Sequence, residues 1–126
     1  MVLKILAVAL GGAIGASTRF MVSEWMQNKL ETGFPYSTML INIVGSFIIG
    51  ICMAYFLSRE DLPAWIKLFV VTGCLGGLTT FSTFSYEWVA LLSSREWIEA
   101  AFYGGIQIIG GLFFCLLGGF IGRLFF

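Results

Sequence analysis

The apolar run from residue 64 to residue 92 carries at its centre the sequence GCLGGLTTFSTFSYE, residues 73–87. As one unbroken helix that run would reach about 43 Å, well beyond the ~30 Å hydrocarbon core that ~20 apolar residues suffice to cross. Either its ends protrude or it is interrupted. Glycines and adjacent threonines weaken a helix and release carbonyls that something else must satisfy, so the composition favours an interruption near the middle. Non-helical backbone at membrane depth persists only where it is buried in protein or bound to something, which makes this stretch the first place to look for function.

Three further apolar segments, residues 3–26, 37–57 and 97–126, are each long enough to span a bilayer. The connections, residues 27–36, 58–63 and 93–96, are short, so successive segments run antiparallel and both termini lie on one side. With 59% hydrophobic and 11% charged residues and a mean hydropathy of +0.95, the chain is far from a water-soluble domain, whose charged share is nearer ~25%. The expectation is an all-α membrane protein with one four-helix transmembrane domain over residues 1–126, and no repeat or soluble domain. Seven basic residues balance seven acidic ones, so nothing points to nucleic acid. There is no histidine, and Cys52, Cys74 and Cys115 lie far apart in apolar runs. They read as buried packing residues, and neither a zinc site nor a thiol enzyme is expected. Lys4 and residues 5–16 look like the start of a signal peptide, but they lead directly into Arg19 and more apolar sequence, so they read as a retained first helix.

Basic residues near the segment ends give a weak orientation signal. Lys4, Arg59, Lys67 and Arg123 fall on one side, Lys29 and Arg95 on the other, or three there with Arg19. Such near-balance permits insertion both ways, and hence an antiparallel dimer; a single orientation set by the small excess is the alternative. Small residues recur at helix-packing spacing: Gly11 with Gly15, Ser46 with Gly50, Gly73 with Gly77, Gly118 with Gly122. In lipid, where helices associate by packing and polar contacts, these predict close helix approach and an oligomer.

The polar residues inside the apolar segments need a reason to be there. Arg19 either faces an aqueous cavity or snorkels to the headgroups. Asn42, set among Met39, Leu40, Ile41, Ile43 and Val44, either ties two helices together or donates to a permeating anion. Phe81 and Phe84 are three residues apart and share a helical face, with Thr80, Thr83 and Glu87 on an adjacent polar face. The rings are either packing residues or, because an aromatic edge is electropositive, weak contacts for a small anion. Carbonyls near Gly76 and Thr79 lose helical partners at the break, and sodium, ordered water or Ser and Thr hydroxyls could satisfy them.

The segments GGAIGASTRF (residues 11–20), STMLINIVGSFIIG (residues 37–50) and GCLGGLTTFSTFSYE, in that order, resemble the small bacterial fluoride channels of the Fluc/CrcB family. The resemblance covers nearly the whole chain, and its last motif is the most specific. It implies a homodimer of two four-helix subunits in opposite orientations in the bacterial inner (plasma) membrane, with paired fluoride pores and a structural sodium ion at the dimer centre. By position, Phe81 and Phe84 resemble the pore phenylalanines, Asn42 the pore-lining asparagine, and Gly76 with Thr79 the carbonyl donors to sodium. Thr80, Ser82 and Thr83 fall in the hydroxyl-bearing part of the break, Arg19 resembles the vestibule arginine, and Glu87 the acidic residue that closes the motif. Phe20 and Ser37 stand where the family often has tyrosine and glycine. On the fourth segment, Tyr103, Gln107 and Gly111 occupy a track that the family often lines with Tyr and Ser.

The expected function is passive, selective export of cytoplasmic fluoride, not enzymatic catalysis. A small proton-coupled multidrug exporter is the competing transport class, but it needs a carboxylate deep in the first helix, where this chain has Arg19 and only a late Glu24. A noncatalytic membrane assembly subunit is the third reading.

Overall fold

A computed structural model describes the whole chain, Met1–Phe126. All its regular elements are helical, as a bilayer demands of any open segment whose backbone must satisfy itself. Helix α1 (Val2–Leu30) runs a turn beyond the apolar run that predicts it. It ends where Glu31 turns left-handed at φ 44° and donates its N–H to Gln27 O. Helix α2 spans Tyr36–Ser58. The third span, Ala64–Ser93, divides into α3 (residues 64–78) and α4 (Phe81–Ser93), separated by extended backbone at Thr79 and Thr80. Helix α5 (Trp97–Phe125) forms the fourth span. Two stretches, Leu68–Leu75 in α3 and Ile106–Gly110 in α5, wind in wide π turns, which the sequence does not announce.

The bundle is held in part by two glycine seams. Where α1 crosses α3, a Cβ on Gly73 would lie 2.8 Å from Gly11 Cα, and one on Gly15 would lie 2.8 Å from Leu78 N. Where α2 crosses α5, a Cβ on Gly50 would lie 2.7 Å from Gly119 N, and one on Gly122 would lie 2.7 Å from Ala54 Cβ. Only a residue without a side chain lets the backbones meet at these points. The expected small-residue pairs are therefore interfaces. By contrast, Gly12 faces open space.

Only 22 of 126 residues are buried within the chain, while Leu116 and Phe125 are more than three-quarters exposed. An apolar exterior of this kind is solvated by lipid tails, and with four helices able to span the bilayer the chain is a multi-pass membrane protein. The cysteines depart from expectation: all three are free and half-buried rather than buried.

Candidate functional site

The break in the third span is held open by Asn42. In a continuous helix the Thr80 N–H would donate to the Gly76 carbonyl; here it donates to Asn42 Oδ1 at 2.9 Å. Asn42 Nδ2 returns a bond to Thr80 O at 2.9 Å, so one amide closes on both polar groups of one extended residue. The next regular partner is also diverted, since Thr83 N–H donates to Thr80 Oγ1 at 3.3 Å instead of to the Thr79 carbonyl. Thr80 thus caps α4, as a threonine is suited to do. Its hydroxyl donates to Thr83 Oγ1 at 3.1 Å, with Ser82 Oγ 3.4 Å away. Thr79 turns its own hydroxyl and N–H back to Leu75 O. Gly76 and Thr79 are left with carbonyls released from their regular helical donors, and Gly76 lies on the exposed surface of the chain.

The two phenylalanines fall on opposite sides of a boundary. Phe84 is 3% exposed, stacked on Trp88 at 5.3 Å and tilted over Tyr103 at 5.4 Å. Phe81 is 77% exposed, its ring 5.7 Å from that of Phe84 and at 61° to it. Both rings border a cleft of about 550 Å³ that Asn42, Thr80, Gln107 and Gly111 also line. The three-residue spacing thus keeps the rings together, with one facing into the chain and the other out of it.

A polar seam leads away from this cleft. Asn42 Nδ2 donates to Gln107 Oε1 at 3.0 Å, and Gln107 stands one turn along α5 from Tyr103. The Tyr103 ring is fully buried, and its hydroxyl donates to Glu87 Oε2 at 2.5 Å. Thr38 donates to Glu87 Oε1 at 3.0 Å. Glu87 then borders a second cleft of about 360 Å³ beneath the α1–α2 connection, beside Thr32 and Phe34. The seam ends on one unmet group: Gln107 Nε2 is buried with no hydrogen-bond partner. Gly111 adds no polar atom but leaves room beside Ser46, whose Oγ would lie 3.6 Å from a Cβ there.

The structure brings together most of the residues that the sequence singles out: Asn42, Thr80, Phe81, Phe84, Glu87, Tyr103 and Gln107. Ser82 and Thr83 sit at the exposed rim. Arg19 is half-buried on α1 and stands apart from this network. Two contributors escape sequence reading. Thr38 lies one helical turn before Asn42, and that spacing is the signal that could have found it. Trp88 is fixed by an indole N–H donated to Ala100 O at 2.9 Å, and its ring fills the space that a side chain at Gly104 would occupy.

Comparison with known proteins gives a consistent result. Residues 6–119 match the profile of the family described as CrcB-like protein, Camphor Resistance (CrcB). A relative from Chloroflexus aurantiacus named fluoride-specific ion channel FluC is 43% identical over 122 residues, covering 97% of each chain. Proteins of the same name from Thermus thermophilus and Aquifex aeolicus are 44% and 41% identical. They cover 94% of this chain in both cases, and 90% and 96% of their own lengths.

Proposed function

The chain belongs to the CrcB-like family, and from that premise we propose that it is a fluoride-specific ion channel that releases fluoride passively from the cytoplasm. It is a transport protein, not an enzyme. The observation that carries this reading is the interruption at Thr79–Thr80. It turns hydroxyls and two aromatic rings toward one cleft in a span that would otherwise be uniformly apolar.

Fluoride enters acid-exposed cells as a neutral weak acid and dissociates inside, so the anion accumulates there. An inside-negative potential favours its exit by about 2.3 kcal/mol per 100 mV; an open path is sufficient and no pump is needed. The chemical task is to replace tightly held water by several modest donors, since binding must be strong enough for entry and weak enough for exit. The electropositive edges of Phe81 and Phe84 and the hydroxyls of Ser82 and Thr83 are such donors, while the Thr80 hydroxyl, already donating to Thr83 Oγ1, positions them. Tyr103 and Thr38 hold the Glu87 carboxylate by hydrogen bonds, which moderates its charge beside an anion route.

The finer assembly is also part of the proposal. The chain forms an antiparallel, dual-topology homodimer in a bacterial inner membrane, with the exposed Phe81 and Gly76 surface meeting a second copy. The released Gly76 and Thr79 carbonyls form an oxygen-only donor set that fits a hard cation. A sodium ion shared between two copies would satisfy these oxygens and fix the break; both residues contribute through their main chain. Arg19 serves the vestibule.

The test is efflux of fluoride and of chloride from liposomes containing only the purified protein. Rapid fluoride release with negligible chloride release is expected. Equal release of both ions, or none of either, would refute selective conduction.

A further inference from the structure

Trp88 stands one helical turn beyond Phe84 on α4, and three contacts fix its ring. A buried indole needs an acceptor for its one N–H, and Trp88 Nε1 donates to Ala100 O on α5 at 2.9 Å. Beside that bond α5 carries Gly104, where no side chain would fit: a Cβ there would collide with Trp88 Cζ2 and lie 2.5 Å from Cε2 and 2.9 Å from Nε1. The third contact is Phe84, whose ring centroid lies 5.3 Å from that of Trp88 and whose plane is only 21° from parallel to it. This is the one stacked pair among the chain's aromatic contacts; the others cross at 43° or more.

A phenylalanine ring offers an anion two unlike surfaces, an electropositive edge that attracts it and an electronegative face that repels it. Rotation about the last side-chain torsion exchanges one for the other, and that torsion is broad. Phe84 borders the cleft beside the break, so its plane must be held if an ion is to meet the edge. Trp88 borders neither cleft, so any part it plays is exerted through its neighbour. We infer that Trp88 is a positioning residue for the Phe84 ring: tied to Ala100 O and seated over Gly104, the indole covers one face of Phe84 and keeps its edge turned to the cleft. The assignment rests on the fluoride-channel reading. Phe81 has no such platform, since it is 77% exposed and its only ring contact is with Phe84. The two rings therefore differ in constraint, and Gly104 belongs to the device because its missing side chain lets α5 receive the indole.

Ring order can be read separately from fold. Phenylalanine labelled with ¹³C on the ring, in the purified full-length protein in fluoride-free detergent solution, gives Phe84 signals that are identified by their loss in Phe84→Ile. In the wild-type protein, slow flipping should keep the two sides of that ring as separate signals. In Trp88→Leu they should merge, and fluoride efflux from liposomes should fall several-fold, less than in Phe84→Ile, with the elution profile unchanged. Trp88→Phe, which restores a stacking ring without the N–H, should recover part of both. Gly104→Ala displaces the indole without altering either aromatic residue and should reproduce the Trp88→Leu behaviour. In the Trp88→Leu background, where no indole remains to displace, it should cause no further loss. Gly105→Ala, with nothing within 4 Å of the added Cβ, should match the wild-type protein in both measurements.

Wild-type efflux in Trp88→Leu overturns the positioning role, and so does reduced efflux with the Phe84 signals still separate. Losses that add in the double variant overturn the seat at Gly104, as does a loss in Gly105→Ala as deep as that in Gly104→Ala. If Trp88→Leu does not fold, the Trp88→Phe and Gly104→Ala proteins decide by the same two readings. If the wild-type protein releases fluoride and its Phe84 signals are already merged, this inference fails while the channel reading stands. If the wild-type protein releases no fluoride, the channel reading itself fails.

Discussion

The glycine seams and the polar seam solve the same problem, joining helices in a solvent that gives apolar surfaces no reason to associate, by opposite means. At α1–α3 and α2–α5 side chains are removed until backbones touch. Along Asn42, Gln107, Tyr103, Glu87 and Thr38, polar side chains reach across and bond. The first kind of contact tolerates no added atom, whereas the second tolerates substitution but changes what the protein can offer an ion. Mutations should accordingly separate into those that lose the protein and those that lose its conductance.

The largest effect is expected at Gly15. An alanine there would place Cβ against the backbone of α3, 2.8 Å from Leu78 N and 2.9 Å from Cys74 C, where no side chain can rotate away. A cost upward of about 3 kcal/mol, the top of the usual overpacking range, should abolish the monodisperse peak on size-exclusion chromatography. A well-folded Gly15→Ala protein would break the comparison outright.

Next comes Phe84→Ile, at the junction of the two regions. Losing the ring should reduce fluoride efflux from liposomes at least ~10-fold, equivalent to about 1.4 kcal/mol in the barrier, with the elution profile unchanged. Efflux that survives in both Phe84→Ile and Phe81→Ile would remove the ring edges from the mechanism.

A smaller change is expected from Tyr103→Phe, which deletes the hydroxyl bonded to Glu87 Oε2 and leaves Thr38 as that carboxylate's remaining side-chain donor. A loss of about 1–3 kcal/mol should appear as a lower unfolding midpoint in detergent, with a folded protein still recovered. The smallest effect is the control at Gly12, next to a seam residue but with nothing within 4 Å of an added Cβ. Gly12→Ala should be neutral or stabilising by up to about 1 kcal/mol; a loss comparable to that at Gly15 would show that glycine content, not seam geometry, governs stability.

Much of this division can be read from the residues. The four spans follow from apolar length, although α1 overruns its expected end at Met26 through Leu30. The polar residues Gln27, Asn28 and Lys29 leave the apolar core without ending the helix, which stops only at the left-handed Glu31. The interruption of the third span is legible from its glycines and threonines, but the threonines make it. Gly76, Gly77 and Leu78 remain helical, and Gly77 serves the α1–α3 seam, where a Cβ on it would lie 2.7 Å from Gly12 O. Asn42 is legible as a residue that must have partners, whereas its clamp on Thr80 joins positions 38 apart in sequence, which no local pattern encodes. The same holds for Thr38 and Glu87, 49 apart. The π turns leave no trace in residue type, since their wide winding accompanies packing against neighbours.

Trp88 also serves a purpose outside transport. Its indole is anchored to Ala100 O at one edge and lies 21° from parallel to the Phe84 ring, so it is a built-in optical probe. With Trp25, Trp65 and Trp97 replaced by phenylalanine, the emission wavelength and polarisation of the remaining fluorophore would report the tilt of its aromatic neighbour in real time.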